Sequence, residues 1–299
     1  MSKLGLIVKN EYLTEIRSKS FWLTTILVPV LFAAFSLFVG FMALDNENLQ
    51  NITNPTAPDP DEMSGAQVAG MMVGLFLALF LMTYGAQIYN KVRKEKVNRI
   101  MEVLATCVPG RTMMFGKVIS VALIGITQLA VWASVIAVIL AGVFIVFQPD
   151  LPWHYLGEAR VWTGLFWSVL FFIGGYVFYG SIYAACGAMT DKDAENQGYM
   201  TVLTFLLLGS FYIEQYAVNH PSNIFVTICS FIPFTSPAVA TVNALCGDVP
   251  LWQTILSAVV LYAFAWLSTV FSGKIYTASI MLKGKKFSPR DILLFLKMK

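Results

Sequence analysis

No Asp, Glu, Lys or Arg stands at the centre of any of six apolar runs, at residues 21–44, 66–89, 118–147, 161–189, 198–217 and 251–273. A helix needs about 20 such residues to cross a hydrocarbon core roughly 30 Å thick. A charge at its centre would cost about 3 kcal/mol or more. The chain is 57% hydrophobic and 12% charged, against about 25% charged in an ordinary soluble domain. So much apolar surface needs lipid as its solvent. The expected fold is all-α: one polytopic transmembrane domain over residues 1–299 with six membrane-crossing helices. The run at 21–44 is too long for a signal-peptide core and no small-residue cleavage site follows it, so it reads as a retained span.

Orientation follows from the loops. Of the 20 basic residues, all but Arg160 fall in the N-terminal segment, the connections after the second and fourth spans, or the tail. The first opposite loop carries Asp45, Glu47, Asp59, Asp61 and Glu62. Basic loops stay cytoplasmic, which places both termini in the cytoplasm and the chain in a plasma membrane, as in a bacterial inner membrane.

Parity then constrains residues 218–250, which are long and apolar but interrupted by Pro233 and Pro237. A crossing here would put the basic tail outside. The expected structure is an external re-entrant helical hairpin over 222–246, with a helix at 222–232 and Pro233, Phe234 and Pro237 at its turn. A hairpin lying flat among headgroups is the alternative. Non-helical backbone at membrane depth must be covered by protein or line a water-filled cavity, so these three residues are candidate gate residues. In the re-entrant geometry Cys229 and Cys246 would lie about 13 Å apart in depth, too far for a disulfide.

Residues 94–105 have amphipathic helical spacing: Val97, Ile100, Met101 and Leu104 form one stripe, and Lys94, Glu95, Asn98, Arg99 and Glu102 the other face. Glu95–Arg99 and Asn98–Glu102 are i,i+4 neighbours. Two readings stand: an interfacial helix held by lipid headgroups, or a docking element for a cytoplasmic protein. Residues 1–20 read as a cytoplasmic interfacial helix, and 274–299 as a cytoplasmic tail held at the membrane surface by Lys297 and Lys299.

Catalytic chemistry finds little support. Gly110 to Val118 has five residues between its glycines and Val after Lys117, so it is not a Walker A loop. Four cysteines without CxxC spacing, and His154 and His220 without carboxylate partners at ligand spacing, offer no metal site. The chain is expected to have no catalytic residue and to be no enzyme by itself. The polar groups within the spans are hydroxyls and amides; Thr83, Gln87, Thr201, Thr204 and Ser210 are the candidates for facing a pathway. Ion-coupled carriers usually hold a carboxylate at mid-depth, and none is evident here.

The run from Lys94 to Leu104, followed by Gly116-Lys117 at the third span, resembles the coupling-helix segment of type-2 ABC exporter permeases. Within that family it is most similar to the sodium-efflux (Nat-type) branch. The Pro233-Phe234-Thr235-Ser236-Pro237 turn is similar to the family's external hairpin, and Gly273-Lys274-Ile275-Tyr276 with residues 280–286 to its C-terminal signature. Many members of the branch carry a large external domain between the first two spans; here only residues 45–65 connect them.

The resemblance implies a permease that pairs with a second copy or a paralogue and with a separate cytoplasmic ABC ATPase. ATP and Mg²⁺ would sit on that ATPase, and this chain would bind no cofactor. Lys94, Glu95, Asn98, Arg99 and Glu102 would face the ATPase, the second and fifth spans would line the pathway, and the cargo would be sodium or an amphipathic molecule. Membrane lipid is the other expected partner and nucleic acid is not one. A stand-alone carrier or channel is the competing reading.

Overall fold

The computed structural model describes residues 3–30 (apart from 20, 24 and 28), 65–97, 108–147, 159–190, 193–220, 223–246 and 249–281. Their regular elements are helices: α1 (Lys3–Ile16), α2 (Gly65–Val97), α3 (Gly110–Phe147), α4 (Ala159–Met189), α5 (Asp193–Asn219), α6 (Ile224–Phe231), α7 (Ser236–Cys246) and α8 (Leu251–Met281). Residues 21–30 are also helical wherever they are described, and the rest of the expected first span lies outside the described residues. Among the described residues, four helices contain segments long and apolar enough to cross a membrane: Thr112–Val135, Trp162–Met189, Gly198–Asn219 and Leu251–Ser279. The chain is a multi-pass helical membrane protein.

The helices form two compact units. The first comprises residues 1–9, 64–121 and 154–299, the second residues 10–63 and 122–153.

In the first unit α4 is the hub, packing along α8, α2 and α7. Lipid supplies no hydrophobic drive between membrane helices, so they associate through close van der Waals contact and interhelical hydrogen bonds. Small residues on α4 allow both. A Cβ on Gly187 would stand 2.6 Å from the Tyr89 carbonyl oxygen of α2, and one on Gly175 would stand 2.5 Å from Pro237 Cβ of α7. The Tyr89 and Thr190 hydroxyls lie 2.7 Å apart, as do those of Ser181 and Thr269 on α8. Tyr276, buried on α8, donates to Met113 Sδ at 3.0 Å. Phe80 of α2 packs against Phe172 and Tyr176 of α4 with centroids 4.7 and 6.3 Å apart. The opposite face of α4 leaves Trp162, Leu165, Phe166, Val169 and Ile173 exposed. That stripe fits a lipid solvent, since water would not tolerate it.

In the second unit, the Tyr12 and Thr127 hydroxyls are 2.8 Å apart, joining α1 to α3. Trp132 Nε1 donates to the Thr25 carbonyl at 2.9 Å, joining α3 to the helical residues that follow α1.

Three helix limits differ from those expected. α2 runs without a break from Gly65 to Val97, so Lys94–Val97 continue the helix that begins at Gly65. No proline lies between residues 65 and 97 to stop it; residues 98–105 of the expected amphipathic helix lie outside the described residues. α3 begins at Gly110 rather than 118, with Met113 N donating to the Pro109 carbonyl at 3.2 Å. The loop-like Gly110–Lys117 stretch is therefore helical, and its backbone N–H groups beyond the first turn serve the helix. α8 continues to Met281, which makes Gly273–Tyr276 part of it.

The Pro-interrupted segment forms two short helices. Asn223 caps α6, its side chain accepting from Phe225 N. Pro233 lacks the N–H a continuing helix requires, and Ile232 before it is extended, with φ −75° and ψ 122°. Pro237 sits in the first turn of α7, where its missing N–H costs nothing. At about 12 and 16 Å long, neither helix could cross a bilayer alone.

Candidate functional site

The turn between α6 and α7 is held by side chains of three long helices. The Phe234 carbonyl accepts from the Tyr179 hydroxyl of α4 at 2.5 Å and from Ser210 Oγ of α5 at 2.9 Å. Ser257 of α8 donates to the Ser230 carbonyl, and its Oγ lies 3.0 Å from Ser236 Oγ. Within the turn, Thr235 Oγ1 donates to the Cys229 carbonyl at 2.5 Å. The Phe234 ring stands edge-on to Phe178 at 5.1 Å. The Ser230 and Phe234 carbonyls of this turn are thus satisfied by side chains of neighbouring helices. Pro237 is buried against Gly175, while Pro233 is half-buried and Phe234 exposed. Beneath the turn, Val226, Cys229 and Val239 pack on Ala217 of α5; Cys229 is a buried free thiol.

Of the five hydroxyl and amide candidates, the structure brings only Ser210 to this turn. It lines a small recess with Leu77, Leu81, Leu207, Phe211 and Phe234. Thr83 and Thr201 are exposed, Gln87 and Thr204 half-buried, and none of the four borders the recess.

A carboxylate joins the α2–α5 interface instead. Glu214 is fully buried, and neither of its side-chain oxygens has a hydrogen-bond partner among the described residues. It lies against Gly74 of α2, where a Cβ would overlap it. Sequence reasoning passed over Glu214 because it stands near the end of its apolar run. The available signal was its phase: Leu203, Leu207, Ser210, Glu214 and Ala217 form the buried stripe of α5 at helical spacing.

At the other end of α2, the residues expected to face a cytoplasmic partner divide. Lys94 is exposed. Glu95 pairs with Lys117 near the start of α3, and the Lys117 side chain is only 2% exposed. Lys96 Nζ donates at 2.7 Å to the Ala188 carbonyl in the last turn of α4, where unpaired carbonyls and the helix dipole favour a cation. Asn98, Arg99 and Glu102 lie outside the described residues.

The chain is 27% identical over 237 residues to the uncharacterized protein YhaP of Bacillus subtilis, covering 75% of this chain and 54% of that protein. It is 23% identical over 208 residues to the uncharacterized protein MJ1024 of Methanocaldococcus jannaschii, covering 69% and 48%. The chain therefore spans about half the length of the curated relatives it matches. No solved structure matches it. The family described as ABC-2 family transporter protein matches residues 41–274, from the expected first span into α8. With most of its helical body inside that match, the chain belongs to the ABC-2 family of transporter proteins.

Proposed function

We infer that this chain is the membrane-spanning permease subunit of an ATP-driven exporter. A separate cytoplasmic ATPase holds ATP and Mg²⁺, and a second copy or a paralogue completes the transmembrane pathway. The observation that carries this reading is the family match over residues 41–274. The continuous α2 supports it, because an unbroken helix from Gly65 to Val97 offers a docked ATPase a stiff lever. Lys94, Asn98, Arg99 and Glu102 form the docking face. The α6–α7 pair acts as an external re-entrant hairpin over the pathway, with both termini in the cytoplasm of a bacterial plasma membrane. Sodium, as in the Nat-type branch, or a small amphipathic molecule is the cargo.

Purification of the tagged chain from its own membranes tests the docking. A cytoplasmic ATPase should copurify with the wild type and be lost from an Arg99→Glu/Glu102→Lys variant. Undiminished binding and hydrolysis in the variant would refute docking through this segment.

Glu214 favours a second reading. A buried carboxylate within a span is a usual element of ion-coupled carriers, and this chain has one on α5. Transport by the purified chain in proteoliposomes lacking ATP and any ATPase would select the stand-alone carrier.

A further inference from the structure

Two side chains in the last turn of α2 reach different helices. Glu95 is paired with Lys117 on α3, and Lys96, the next residue, donates to the Ala188 carbonyl on α4 at 2.7 Å. Lys117 is 1% exposed overall, with Gly116 beside it covered by Ile7 and Leu4 of α1. A buried ion pair adds little net stability compared with an apolar pair of similar volume, but it is directional and resists separation. The Lys96 contact ends on a carbonyl at a helix terminus, so it grips the backbone of α4 rather than a side chain that could rotate away. Between them, the two contacts leave the last turn of α2 unable to shift without pulling on both neighbours.

We propose that Lys117 and Lys96 are positioning residues that divide a displacement of the last turn of α2 between two helices: Lys117 passes it to α3 and Lys96 passes it to α4. The proposal rests on the ATPase-coupled reading above. It gives Glu95 and Lys96, which engage α3 and α4, a duty separate from docking.

The test uses the full chain in lipid nanodiscs with its copurified ATPase, comparing hydrogen exchange with and without ATP and vanadate. The wild type should show an ATP-dependent change over both residues 110–121 and residues 180–189. Glu95→Met/Lys117→Met replaces the ion pair with apolar packing; it should retain the ATPase and its Tm yet lose the change at 110–121. Lys96→Ala should lose the change at 180–189 and keep the one at 110–121. The swap Glu95→Lys/Lys117→Glu should restore the first. If both altered chains respond as the wild type does, the contacts are merely structural and the proposal is overturned. If they lose ATPase binding instead, Glu95 and Lys96 belong to the docking face and the division of duties is wrong. Failure of any ATPase to copurify with the wild type would instead defeat the exporter reading, and the proposal with it.

Discussion

Gly74 of α2 leaves the space that the Glu214 carboxylate of α5 fills: a Cβ at Gly74 would overlap Glu214 Oε1. The contact pairs the smallest residue with an ionisable side chain that has no hydrogen-bond partner among the described residues. Gly74→Ala should displace the carboxylate and lower stability by about 1–3 kcal/mol, the usual cost of overpacking. In a Glu214→Ala background the same change should cost almost nothing, because the atom it collides with is gone. Thermal unfolding in detergent of the four chains of this double-mutant cycle checks the coupling.

Glu214→Met keeps the volume and removes a buried polar group that has no hydrogen-bond partner among the described residues. Stability should rise, by about 1–3 kcal/mol on the cost of an unsatisfied buried group, while transport falls if the carboxylate serves it. A lower Tm for this variant would mean that Glu214 has a partner at residues beyond those described.

The turn at Phe234 should loosen in steps. Tyr179→Phe and Ser210→Ala each remove one of the two side-chain donors to the Phe234 carbonyl, at about 0.5–1.5 kcal/mol apiece. The double change strips the carbonyl of both and should cost more than the sum. Cys229 reports the result: its side chain is buried under the turn, so reaction with a thiol reagent should be slow in the wild type and fastest in the double variant. Labelling rates of Cys229 in a background lacking the other cysteines measure this.

Gly187 offers a control away from the turn. Ala there would bring a Cβ to 2.6 Å from the Tyr89 carbonyl oxygen, which backbone cannot readily avoid. A loss of about 1–3 kcal/mol should appear in Tm, with Cys229 labelling unchanged in the folded protein.

Topology has its own check. If the chain makes the proposed six crossings and the hairpin returns to the face it entered, a tag fused after Lys299 should resist impermeant reagents in intact cells. Labelling of that tag from outside would remove the orientation on which the docking assignment depends.

Apolar runs at the right length, and basic residues gathered into alternate loops, were legible because membrane crossing is a one-dimensional condition: it depends on consecutive residues and on little else. The break at Pro233 was legible for a similar local reason, since a missing N–H and a fixed φ act on the neighbouring turn. What packs against what was not. Glu214 and Gly74 stand far apart in sequence on different helices, and only the phase of α5 against α2 turns the carboxylate inward. The i,i+4 spacing of Glu95 and Arg99 gives no sign of Lys117, which engages Glu95 because the start of α3 brings an ammonium to it that no local spacing could announce. Ser210 and Tyr179 likewise act on a carbonyl many residues away. The sequence by itself determined which segments are apolar enough for lipid and where proline stops a helix; tertiary packing decided which polar groups meet across helices, because that depends on how helices distant in sequence are turned against each other.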